Sequence, residues 1–75
     1  MSTKFTWGDT VQITNAHYIR EPGKVIGEVC GFLVLSDSKL AEQFKQPIGT
    51  VIYTVEFGDG SSEEFPEMAI ALYEG

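Results

Sequence analysis

Covalent catalysis needs a nucleophile, a base and an orienting group that meet in space. This chain holds one cysteine, Cys30, and one histidine, His17. Cys30 lies in an apolar, β-rich run and reads as a buried, inert thiol. His17, flanked by Ala16 and Tyr18, falls in a polar stretch and reads as an exposed loop residue. One His, one Cys and scattered carboxylates give no recognised metal-ligand spacing. The segment Asp59-Gly60-Ser61-Ser62-Glu63-Glu64 is rich in oxygen ligands, but its glycine comes too early for a calcium loop, and turn chemistry accounts for it. Glu63 and Glu64 invite an acid/base reading, yet neighbours in a strand face opposite ways. A two-carboxylate mechanism needs both groups at one site. No catalytic residue, cofactor or metal is expected, and the chain reads as a non-enzyme.

Charge says more than any single residue. Five Lys/Arg stand against eleven Asp/Glu, a formal net charge of −6, and no Lys or Arg follows Lys45. Glu56, Asp59, Glu63, Glu64, Glu67 and Glu74 fill the last thirty positions. Such a field repels phosphate backbones and anionic membrane surfaces, so neither nucleic acid nor membrane is an expected partner. It favours a basic protein. A chain of 75 residues makes one domain, spanning 1–75, and buries only about 60% of its unfolded surface. Self-association as a homo-oligomer would help to stabilise it. A lone cysteine fits a reducing compartment, and the N-terminal segment has no apolar signal core, so a cytoplasmic location is expected.

The elements that must place these charges are organised by residues 51–65. Val51, Tyr53, Val55 and Phe57 alternate with Ile52, Thr54 and Glu56, the pattern of a half-buried strand. Gly58-Asp59-Gly60 allows the chain to reverse. A two-residue turn would put Phe65 on the wet face; a three-residue loop pairs Phe57 with Ser61 and Tyr53 with Phe65 on the dry face. Burying Phe65 is worth roughly 1.5–3 kcal/mol, so the three-residue loop is expected. Glu63 then points toward the dry side beside Val55, tolerable only at a rim or bulge.

Earlier in the chain, Val11 and Ile13 mark a first strand after Gly8-Asp9, and 15–23 reads as a long loop. Residues 24–35 read as two strands, or one strongly coiled strand bending near Gly31, because glycines inside a strand mark bulges. Ile26 and Cys30 share the phase opposite Val25 and Val29. Residues 36–46 form the one helical window, roughly 37–46, capped by Ser36 or Ser38 and stopped by Pro47. A helical turn begins at Pro66 and a short closing strand runs over 70–73. The fold class is all-β: a small five-stranded barrel with one short helix.

This layout resembles the SH3-like barrels of bacteria. The Gly8-Asp9-x-Val11 opening, Gly23-x-Val25-x-Gly27, Tyr53-x-Val55-x-Phe57 and Pro66-x-x-x-Ile70-x-Leu72 carry the resemblance over nearly the whole chain. Three families with this barrel imply three jobs. Small all-β immunity proteins, similar in the Gly23 segment and the Tyr53 hairpin, imply an inhibitor of a basic toxin or enzyme. Accessory subunits of electron transport imply structural docking in a larger, redox complex. Type II dihydrofolate reductases have a strand matched by Ser62-Glu63-Glu64-Phe65-Pro66, but Glu63 and Phe65 replace that family's Gln and Tyr. Carboxylates are the wrong sign for a pore that binds anionic ligands.

The sequence therefore predicts a non-catalytic, acidic protein-binding module. Glu56, Asp59, Glu63, Glu64 and Glu67 supply steering charge, and Trp7, Tyr18 or Ile52 are the anchors packed against the partner. Ile52 faces outward in this register, where the 36–46 helix would cover it or a partner would.

Overall fold

The computed structural model describes residues 3–74. Five antiparallel strands form one sheet: β1 (Thr10–Ile13), β2 (Ile26–Val34), β3 (Val51–Glu56), β4 (Ser62–Pro66) and β5 (Ile70–Leu72), in the order β4-β3-β2-β1-β5. One helix, α1 (Ser38–Phe44), joins β2 to β3. Two 3₁₀ turns, η1 (Ala16–Tyr18) and η2 (Glu67–Ala69), interrupt the connections from β1 to β2 and from β4 to β5. This is the all-β, five-stranded layout with one short helix that the sequence predicts. The edge strands β4 and β5 are consecutive in the chain and joined by η2; no ladder pairs them among the described residues.

The hairpin adopts the expected register. Tyr53 stands opposite Phe65 and Val55 opposite Glu63. Phe57 donates its amide to the Ser61 carbonyl at 2.8 Å, and the Gly60 amide bonds the Phe57 carbonyl at 3.0 Å. Gly60 has φ +88°, the left-handed residue that closes a three-residue hairpin loop. Phe65 is only 2% exposed. It meets Phe57 and Tyr18 edge-on, at 6.2 and 6.4 Å between ring centroids. Tyr53 meets Phe5 in the same way at 5.2 Å. Val11, Ile13, Val29, Val51, Val55, Ala69 and Ile70 complete this core.

Residues 24–35 hold a single strand, with its register shift between Val29 and Gly31. Cys30 is the extra residue of that bulge. Ahead of it Val29 is buried; beyond it Phe32 stands opposite Tyr53 and Leu33 opposite Ile52, and both are exposed. Gly27 serves a different need. A Cβ there would lie 2.6 Å from Val55 Cγ1 and 2.7 Å from the Glu56 carbonyl oxygen, so β2 and β3 cross too closely for a side chain.

Local signals corrected the helix. Asp37, not Ser36 or Ser38, caps α1: its carboxylate accepts the Leu40 amide at 2.8 Å. The helix ends at Phe44 rather than 46, because Lys45 turns left-handed at φ 55° and its amide bonds the Ala41 and Glu42 carbonyls. The loop expected over 15–23 contains η1, capped by the Asn15 side chain.

Candidate functional site

Four of the residues singled out by sequence converge on one groove of about 340 Å³ beside β4: Tyr18, Ile52, Glu63 and Glu64. Strand β4 supplies Glu63 and Glu64, and the alternation of side chains sends them to opposite faces. Gln43 and Phe44 of α1 line the groove with Ile52, while Tyr18 and Arg20 line it from the loop after β1. Gln46 donates to the Tyr18 hydroxyl at 3.2 Å, tying that loop to the segment just after α1.

Glu63 points to the dry side, as its register requires, yet it is half-buried at the rim and not stranded in the core. Arg20 Nε lies 3.1 Å from its Oε1, with the two side chains 71% and 24% exposed. A pair this wet contributes at most about 1 kcal/mol, so it neutralises Glu63 without locking the loop. Glu64 is exposed and enters no ion pair among the described residues.

Ile52 is a correction. It faces outward in register but is only 1% exposed, so it is a covered floor residue and no free anchor. Leu35, and Ala41 of α1, are also buried outside the main core cluster. Cys30 is the second correction. It follows the buried Val29 on the opposite face of β2, and it is an exposed thiol where a buried one was expected.

The other expected residues lie apart from the groove. Asp59 sits at the hairpin tip, where the Ser61 hydroxyl and amide donate to Oδ1 at 2.6 and 2.9 Å and Lys24 Nζ lies 3.8 Å from Oδ2. The Ser61 hydroxyl, then its amide, hold the Asp59 carboxyl below its ordinary range. Glu67 accepts the Tyr53 hydroxyl at 2.7 Å, and that hydroxyl accepts the amides of Lys4 and Phe5 at 3.1 and 3.2 Å. Glu67 is thus a joint of the fold. Glu56 stands opposite Glu28 across β3 and β2, both exposed. Trp7 is 75% exposed on the turn before β1.

His17 packs edge-on against Tyr18, while Cys30 stands on β2. Among the described residues no group of three or more His, Cys, Asp or Glu could hold a metal ion, and no helix is long and apolar enough to cross a membrane. Phe65, matched in sequence to a reductase tyrosine, is buried beneath Tyr18, and Glu63 is engaged by Arg20.

Sequence reasoning missed Arg20, Phe44 and Glu28. A signal for Arg20 was available: with no Lys or Arg after Lys45, the hairpin carboxylates must find their cations in the first 45 residues. Compared with known proteins, the chain matches no family model, no curated protein and no solved structure.

Proposed function

We propose that this protein is a non-catalytic binding module that captures a basic protein through the groove beside β4, in the manner of an inhibitor or immunity protein. One observation supports this most directly: Glu63 and Glu64 flank a groove at an accessible strand edge whose apolar lining includes the half-buried Phe44 and Tyr18. Apolar contact supplies affinity there, and the carboxylates supply orientation and encounter rate. The cation now at Glu63 is the chain's own Arg20, held by a weak, exposed pair. The net charge of −6 extends the same preference over a longer range.

The test is calorimetric titration with acetyl-Val-Lys-Val-Lys-Val-Lys-amide and with its Glu-for-Lys counterpart, at low and at high salt. Preference for the lysine peptide, weakening with salt and lost in the Glu63→Lys/Glu64→Lys variant, supports the reading. Equal binding of both peptides, or none, overturns it.

A second reading, a docking subunit of a larger assembly, draws on exposed apolar side chains elsewhere. Ile48 and Met68 stand exposed beside a concavity of about 550 Å³ lined by Pro47, Val51 and Met68. Association through that surface survives high salt, which separates it from acidic capture.

A further inference from the structure

Resting on the reading above, we propose that the captured segment is an extended basic chain that adds to β4 as a sixth strand. Hydrogen-bonded and non-hydrogen-bonded pairs alternate along an antiparallel ladder. Since Phe57 and Ser61 are bonded, Glu63 and Phe65 turn their amides and carbonyls toward β3. Ser62 and Glu64 turn theirs to the open side. Among the described residues strand β4 pairs with β3 alone, and both Ser62 and Glu64 are exposed. Pro66, which has no amide hydrogen, ends the row, and the Tyr18–Gln46 bond lies beside that end. The usable edge is therefore 62–64.

Charge selects the occupant. Glu63 and Glu64 point to opposite faces, so an added strand with basic residues meets a carboxylate whichever face they take. A second copy of β4 laid antiparallel would set these glutamates against one another, and like charges at an edge are what discourage self-pairing. Arg20 marks where an incoming guanidinium would sit on Glu63, and its exposed side chain leaves it free to be displaced. Beyond the edge, the groove receives the strand's apolar side chains over the half-buried Phe44.

The experiment titrates ¹⁵N-labelled protein with acetyl-Val-Lys-Val-Lys-Val-Lys-amide and with the same peptide N-methylated at every residue. Methylation keeps the charge and removes every strand donor. The expected result is that the amide signals of Ser62 and Glu64 move most and that the methylated peptide binds about tenfold more weakly. Glu64→Pro deletes an outward amide at a position where an edge strand accepts proline. It should bind more weakly than Glu64→Gln, which loses only the charge. Equal binding of the two peptides overturns strand addition but leaves acidic capture standing, and the methylation result decides even if the proline variant does not fold. If the Glu-for-Lys peptide also binds as well as the lysine peptide, the capture reading falls too.

Discussion

Replacing Tyr53 with phenylalanine should be the most damaging single-oxygen deletion in this chain. The hydroxyl accepts the Lys4 and Phe5 amides and donates to Glu67, so it joins the N-terminal segment, β3 and η2 at one atom. Phenylalanine keeps the ring contact with Phe5 but removes all three bonds. The Phe5 amide is buried and would lose its partner, which costs about 1–3 kcal/mol. The bond to the Glu67 carboxylate adds about 1.5–3 kcal/mol at full strength, less here because Glu67 is half-exposed and regains water. Lys4 is exposed and its amide is readily hydrated. The sum is about 2–4 kcal/mol, or roughly 10–30 °C in Tm for a domain of this size. Urea unfolding followed by circular dichroism measures it.

A pH series supplies a second check on the same atom. Burial raises the Tyr53 pKa above its ordinary 10.0, with Glu67 adding to the shift while the Phe5 and Lys4 amides oppose it. Above about pH 10 the unfolded chain loses this proton first, so the native state holds more protons. Stability is then full below pH 10 and falls as pH rises through the folded-state value. Tyr53→Phe should lack that component of the alkaline loss. A destabilisation under about 1 kcal/mol, together with an unchanged alkaline limb, would refute the reasoning.

Gly27→Ala should lower stability by about 1–3 kcal/mol, because its Cβ would collide with a backbone carbonyl that cannot turn aside; a thermal melt within 2 °C of the parent would contradict the close crossing. Asp37→Ala should cost about 0.5–2 kcal/mol through loss of the Leu40 cap, whereas Ser36→Ala should cost almost nothing, and denaturation midpoints compare the two. Native protein should react with Ellman's reagent without denaturant, since Cys30 is exposed; a thiol silent until unfolding would place it inside. Arg20→Ala should change stability by less than about 1 kcal/mol while tightening the lysine peptide, because it frees Glu63; weaker peptide binding in calorimetry would mean that Arg20 supports the site and does not compete for it.

How far the fold was readable can be followed through particular residues. Alternation in 51–57 and the need to bury Phe65 selected one hairpin register over its one-residue neighbour, since a slip would have moved every side chain to the other face. That choice also placed Glu63 on the dry side. Its cation was not readable, because Arg20 lies 43 positions away and only the fold brings the two within 3.1 Å. Cys30 shows the opposite failure. Its apolar neighbours suggested burial, yet it follows the buried Val29 and alternation keeps it on the outer face.

What the amino-acid order determined unaided is local or period-two in nature: strands, turns, the wet and dry phases, and a negative C-terminal half. What the tertiary structure decided is which strand edge stays open and what covers each face. Ile52 illustrates the division, outward by its phase and yet only 1% exposed. The reason is physical: side-chain direction follows from backbone periodicity, whereas burial depends on which distant segment arrives on that face, and no periodic pattern encodes that arrival.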